Sequence, residues 1–203
     1  MPNRSSPNVY HLRGFKIDVE TMRAFLKAIE ANPVRNVTIH ISRCNLTPEA
    51  FDLFCSDADF SIINHLTLVG PLDDSKRKLF DIKKLFQVNL ESLKLPCWGL
   101  TDEFMDDCIE VLQKNESLML LSLDFNKFQR MDHVIKILRV NRKLMGLSIR
   151  NVNNTSNKVS DITYSTELLE MNDFNILEQL SIDLQNLCQR KKSNEKGYRI
   201  GNK

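Results

Sequence analysis

The chain repeats one pattern of apolar residues along most of its length. Residues 118–128 read LMLLSLDFNKF and residues 90–100 read LESLKLPCWGL, with apolar side chains at the first, fourth, sixth and eleventh positions of both. Related copies begin near residues 7, 36, 63, 144 and 177, at intervals of 26 to 33 residues. A period of this size indicates a small structural unit that cannot bury its apolar face alone and must stack on its neighbours.

Each copy of the pattern, called a unit from here on, combines two kinds of periodicity. Apolar residues at the fourth and sixth positions alternate with polar ones, which predicts a short β-strand. The rest of the unit has apolar residues at helical spacing. These residues fall in three segments: Met22, Phe25, Leu26 and Ile29; Phe104, Cys108, Ile109 and Leu112; and Val134, Ile135 and Leu138.

Capping signals divide the helices from the turns. Thr47 before Pro48, and Thr101 before Asp102, are typical of helix starts, since a threonine side chain accepts a hydrogen bond from the first turn and proline fits its first position. Asparagine tolerates the left-handed conformation of a helix exit. The residues expected at such exits are Asn32, Asn115 and Asn141.

The pattern resembles the ribonuclease-inhibitor-like class of leucine-rich repeats, whose units alternate a strand with a full α-helix. The resemblance covers roughly residues 7–188. It implies an α/β solenoid of about seven repeats, with parallel strands on the concave side and helices on the convex side. The asparagine or cysteine of the family's ninth position appears here as Cys44 and Asn126, whereas Trp98 takes that place in the unit from residue 90. We expect Trp98 to fill the space of the asparagine; the alternative is an exposed binding anchor.

Composition separates a repeat domain, residues 1–188, from a basic and disordered tail, residues 189–203. The tail has a net charge of +5 and leaves −3 for the remainder. The five cysteines form no CxxC pair, no apolar run is long enough for a membrane span, and the first residues lack a signal-peptide core. We therefore expect a cytoplasmic protein, with nuclear targeting by the basic cluster 190–192 as the alternative. The end units lack obvious caps, so the chain can also be a piece of a longer protein.

The family resemblance implies recognition of a protein rather than catalysis. We expect a non-catalytic interaction module that binds a partner protein, as yet unidentified, through the concave face. The alternatives are a regulator of an enzyme, of the GTPase-activator or ubiquitin-ligase-receptor type, and a nucleic-acid binder, which the charge of −3 outside the tail disfavours. The sequence does not indicate an oligomeric state.

No recognisable catalytic or cofactor motif accompanies the repeat. The six glycines form no phosphate-binding loop. His11, His40 and His65 fall on neighbouring predicted strands, but no further ligand completes a zinc site. Cys97 has no predicted histidine neighbour to activate its thiol. We expect no enzyme activity, no cofactor and no metal.

The outward strand positions define the surface that a partner would contact. These are the third, fifth and seventh positions, with the eighth at the edge, because they alternate with the buried ones. They predict two groups of partner-binding residues, one mixed and one basic: Asp124, Phe125, Arg150, Asp183 and Leu184; and His40, Arg43 and Lys94. The alternative for Phe125 is that its ring turns into the core at the strand end.

Overall fold

The protein is a mixed α/β structure built around a mostly parallel sheet. The computed structural model describes residues 8–32, 35–128, 137, 140–141 and 143–149, and the backbone of residues 162–164. The sheet contains, in spatial order, β1 (Asn8–Arg13), β3 (Val37–Ser42), β5 (Ile63–Leu68), β6 (Ser92–Lys94), β7 (Leu120–Ser122), β8 (Gly146–Ile149) and β9 (Ile162–Tyr164). The first six of these strands are parallel. A second, two-stranded parallel sheet pairs β2 (Lys16–Ile17) with β4 (Asn45–Leu46).

Helical segments connect the strands. They are α1 (Val19–Glu30), α2 (Pro48–Asp57), α3 (Asp74–Arg77), a 3-10 helix (Ile82–Phe86) and α4 (Asp102–Lys114). The predicted cap at Thr47 is confirmed: its hydroxyl accepts a hydrogen bond from the Ala50 amide at 3.2 Å, and Pro48 occupies the first turn. Thr101 also precedes α4, but its side chain forms no capping hydrogen bond.

Strand pairing confirms the predicted alignment of the units from residue 7 to residue 144. The fourth positions form one row across the sheet: Tyr10, Ile39, Leu66, Leu93, Leu121 and Leu147. From Ile39 onward every residue of this row is buried. The first and sixth positions are buried as well in the units from residue 63 onward. Asn36 departs from the pattern, because it is exposed and takes a left-handed conformation with φ of 64°.

The helices cover one side of this sheet and complete a continuous core. Met22, Leu26 and Ile29 of α1 are buried as the periodicity predicts. In α4 the buried stripe is Met105, Cys108 and Leu112, whereas Phe104 and Ile109 are only half-buried. The buried stripe of α4 therefore differs from the predicted one: Met105 is buried, and Phe104 and Ile109 are not fully buried. Its buried residues follow a spacing of three and four from Met105, which places Phe104 beside the stripe.

The prediction that asparagine forms left-handed helix exits is wrong for Asn115, whose backbone is extended (φ −78°, ψ 119°). The Asn115 side chain instead forms hydrogen bonds to three backbone groups. The Asn115 Oδ1 accepts from the amides of Ser117 and Leu118, and its Nδ2 donates to the Phe86 carbonyl at 2.8 Å. Asn141 repeats the arrangement one unit later, with Nδ2 donating to the carbonyl of Leu112. These two side-chain amides tie the chain just before β7 and β8 to the preceding unit.

At the ninth position, three different residue types each donate a side-chain hydrogen bond to the preceding unit. The Cys44 thiol donates to the Leu12 carbonyl at 3.3 Å, the Trp98 indole N–H to the Leu68 carbonyl at 2.7 Å, and the Asn126 Nδ2 to the Leu95 carbonyl at 2.9 Å. The acceptor is the sixth position of the preceding unit every time. Trp98 is only 3% exposed, so it fills the asparagine's place and is not an exposed anchor.

Successive turns approach each other closely at Gly70. Its amide donates to the Pro96 carbonyl at 2.9 Å, and a Cβ on it would lie 2.2 Å from the Cys97 carbonyl oxygen. Only glycine fits such a backbone approach. The turns after β5 and β6 therefore stack directly on each other.

Two units differ from the expected alternation of strand and full helix. The unit from residue 63 has only the four-residue α3, and the 3-10 helix buries Ile82, Leu85 and Phe86 in place of a longer helix. In the unit from residue 144, β9 runs antiparallel to β8, where the resemblance implies only parallel strands. An antiparallel pair of strands, unlike a parallel pair, needs no helical crossover.

Candidate interaction face

The side chains on the other side of the large sheet point away from the helices and form what we call the open face. It consists of the third, fifth and seventh positions of the parallel strands. The fifth positions form its central row: His11, His40, Thr67, Lys94, Ser122 and Ser148. Every member of this row is exposed or half-buried. Because the sheet backbone holds these groups, the open face is a surface that would need little ordering on binding.

The part of the open face over β1, β3, β5 and β6 has cationic and titratable groups and no carboxylate. Arg13 and Lys94 are exposed, and the rings of His11 and His40 stack with centroids 4.7 Å apart and planes 9° from parallel. Arg43 follows β3 in a left-handed conformation (φ 53°) that leaves its side chain exposed at the edge. The sequence-predicted residues His40, Arg43 and Lys94 thus lie on one surface.

His40 lies between His11 and Thr67 on the central row. Partial burial lowers the pKa of His40 below the ordinary value of 6.5, and the positive charges of His11 and Lys94 lower the pKa further. Its imidazole is therefore largely neutral at neutral pH. A nearby anion would favour the charged form and so oppose this lowering of the pKa.

Asp124 and Phe125 lie at the end of β7, on the other part of the open face. Asp124 is half-buried and accepts a hydrogen bond from the Ser148 hydroxyl at 2.8 Å. Phe125 is 43% exposed and has φ of 60°, so the alternative in which its ring turns into the core is wrong. The left-handed backbone at the eighth position directs the ring outward. Arg150, Asp183 and Leu184 lie outside the described residues.

Two exposed apolar residues at third positions of the open face, Val9 and Leu120, were not among the predicted site residues. Leu120 occupies a third position and is 44% exposed. Its neighbour on β8 is Gly146, which has no side chain to cover it. The third-position rule identifies Leu120 as outward, and reading that position across all units would have found it.

A groove of about 390 Å³ lies on the helical side, between the α3 segment and the start of α4. Phe80, Ile82, Trp98 and Leu100 contribute to its apolar floor. At its rim Asp74 forms ion pairs with Arg77 at 2.8 Å and with Lys127 at 3.2 Å. These pairs satisfy the charges within the protein and tie α3 to the turn after β7.

The described thiols differ in how far they are removed from solvent. Burial raises the pKa of both Cys55 and Cys108 to about 12, so neither is a nucleophile at neutral pH. Cys97, half-buried after β6, has φ of 63° and donates its backbone amide to the Asp124 carbonyl. Among the described residues, no three histidine, cysteine, aspartate or glutamate side chains are placed to hold a metal ion.

None of the helices in the described part of the chain combines the length and apolar character that a membrane crossing requires. The predicted tail, residues 189–203, and the unit from residue 177 lie outside the described residues. No protein-family model, curated protein or solved structure that was compared with this chain matches it.

Proposed function

We propose that this chain is a leucine-rich-repeat protein whose curved sheet binds a partner protein, without catalysis. The observation that carries the proposal is the contrast within the six parallel strands. Their helix-facing residues are nearly all apolar and buried, while the open-face residues differ from one unit to the next. A surface that varies while its scaffold repeats is suited to recognising one partner.

Further support comes from the turns and from the interval between units. Residues of three types donate from the ninth position to the preceding unit, as the asparagine of a leucine-rich repeat does. The strand starts also recur at intervals that match the units of the ribonuclease-inhibitor-like class. The four described cysteines are free thiols, which suits the cytoplasm that we propose as its location.

Added bulk on the open face tests this function without assuming the partner's charge. Thr67→Tyr together with Ser122→Tyr places two neutral rings on the central row. The matched control, Ala24→Tyr together with Gln113→Tyr, adds the same rings at exposed positions of α1 and α4. We expect affinity capture from native lysate, followed by mass spectrometry, to recover a specific partner with the wild type and the control, and to lose it with the open-face variant. Equal recovery by both variants would contradict a binding role for this face.

A further inference from the structure

We propose that the open face over β1, β3, β5 and β6 binds an acidic, extended segment of a partner protein, more tightly as the pH falls. We call this surface the basic face. The proposal rests on the proposed function, because it requires the open face to be the binding surface. It adds the chemistry of the partner, which the repeat pattern itself does not specify.

Charge complementarity is the first argument. The outward positions of the four strands contain three histidines, an arginine and a lysine: His11, Arg13, His40, His65 and Lys94. No acidic residue occupies any third, fifth or seventh position of these strands, and Arg43 adds a cation at the edge. The first open-face carboxylate, Asp124, comes one strand later. Within the described strands, no outward carboxylate of the basic face meets these charges, so an acidic ligand can meet them.

Spacing indicates the shape of the ligand. Adjacent strands lie about 4.8 Å apart, so the central row from His11 to Lys94 spans roughly 14 Å. An extended peptide rises about 3.3 Å per residue, so about five residues cross this row with carboxylates at every second position. Between the charges, hydroxyl groups of Thr38, Ser42 and Thr67 are available as hydrogen-bond donors on the same face.

The histidine stack gives the binding its pH dependence. The groups that surround His40 are His11 and Arg13 on β1, Thr38, Ser42 and Arg43 on or directly after β3, His65 and Thr67 on β5, and Lys94 on β6. All of the titratable or charged members are basic. The pKa of His40 is lowered in the free protein by burial, His11 and Lys94. A bound carboxylate raises that pKa, so binding takes up a proton and strengthens at lower pH.

A nucleic acid fits the surface less well than an acidic peptide. At neutral pH the fixed cations of the basic face are Arg13, Arg43 and Lys94. Nucleic-acid binders commonly neutralise about six to ten phosphates. The rings of His11 and His40 stack on each other, so they do not present two separate faces to bases.

The test uses the full chain and a fluorescent peptide of about eight residues with alternating glutamate and serine. The peptide control replaces every glutamate with glutamine. The basic-face variant is Arg13→Glu with Lys94→Glu, and its matched control is Lys27→Glu with Lys114→Glu on exposed positions of α1 and α4. Both variants change the net charge equally. Circular dichroism and the emission of Trp98, the only tryptophan, check that each variant is folded.

We expect anisotropy to show binding of the glutamate peptide, loss of at least about tenfold in affinity for the basic-face variant, and little change for the helix-side control. Lowering the pH from about 8 to about 6 should tighten binding several-fold, and His11→Gln with His40→Gln should remove that gain. Three results would overturn the proposal. They are equal losses in both charge variants, no binding of the glutamate peptide, and tighter binding of a single-stranded RNA octamer than of the peptide.

Failure here is distinguishable from failure of the proposed function. If the neutral tyrosine pair on the open face abolishes capture of the partner while the basic-face variant still captures it, the interaction face stands and the acidic partner is wrong. If the tyrosine pair leaves capture intact, the face itself is wrong.

Discussion

Adjacent residues of the same strand belong to two different regions of this molecule. Leu93 and Leu121 are buried against the helices, whereas their neighbours Lys94 and Ser122 lie on the open face. On the helix-facing side each unit repeats a similar apolar residue, and on the open side the residues range from histidine to lysine to serine. Packing restricts the helix-facing residues to apolar side chains, since a buried polar group without a hydrogen-bond partner is costly. The open-face residues are not restricted in this way, so they can differ between units and give the surface its binding specificity.

The largest expected effect comes from the buried side. Leu121→Ala should lower the free energy of unfolding by about 2–5 kcal/mol, because it removes buried methyl groups and leaves a cavity. Ser122→Ala, one residue along the strand, should change it by less than about 0.5 kcal/mol. Urea unfolding followed by Trp98 fluorescence measures both. Similar losses of unfolding free energy for the two variants would contradict the distinction between the buried side of the sheet and the open face.

A substitution at Asn126 tests the hydrogen bonds that hold the turn after β7. Its Oδ1 accepts from the Trp98 and Leu100 amides, and its Nδ2 donates to the carbonyls of Leu95 and Leu123. Asn126→Ala leaves these buried backbone groups without partners, and we expect a loss of about 3 kcal/mol. Asn45→Ala, at an exposed position of β4, is the control and should cost less than about 0.5 kcal/mol. A negligible effect at residue 126 would mean that the turns do not depend on this amide.

Trp98 offers a smaller and more specific test of the same turns. Trp98→Phe keeps an aromatic ring in the core but removes the indole N–H that donates to the Leu68 carbonyl. We expect a loss of about 1–2 kcal/mol in urea unfolding followed by circular dichroism. An unchanged stability would show that the indole is present for its volume alone.

The smallest effect belongs to the open face and depends on pH. The pKa of His40 is lowered on folding, so the unfolded chain binds the proton more readily than the folded protein. The stability linked to His40 is complete above the ordinary pKa of 6.5 and is lost as the pH falls through the folded pKa. His40→Gln should therefore lose less stability than the wild type between about pH 8 and pH 5. Identical pH dependence of stability for the wild type and His40→Gln would show that His40 does not contribute to it.

Much of this division could be predicted from the sequence. The alternation of Leu121, Ser122 and Leu123 assigns each residue to a side, because the side-chain period of a strand is two and one side is buried. The same register identified His40, Lys94 and Phe125 as outward. The burial of Trp98 was also predicted, on the expectation that its ring fills the space of the asparagine.

Other features depend on contacts between units, which a single unit's pattern does not contain. The buried stripe of α4 runs through Met105 rather than Phe104, because the packing of neighbouring layers sets the helix rotation. The 3-10 helix replaces a full α-helix after β5 and still buries Ile82, Leu85 and Phe86. Its Lys84 and Lys83 also pair with Asp52 of α2 and Asp107 of α4, each at 2.6 Å. The reversal at β9 follows a segment rich in asparagine, whose composition indicates a loop but not the direction of the next strand.

The most direct test of the two-sided strand is the accessibility of cysteines placed at neighbouring positions. Leu93→Cys and Leu121→Cys probe the helix-facing side, and Lys94→Cys and Ser122→Cys probe the open face. Alkylation with N-ethylmaleimide under native conditions, quantified peptide by peptide to separate the native thiols, gives the rate at each position. We predict fast labelling at residues 94 and 122 and strong protection at residues 93 and 121. Faster labelling at residues 93 and 121 would mean that the strands are turned over by one residue, and the assignment of the binding face would be wrong.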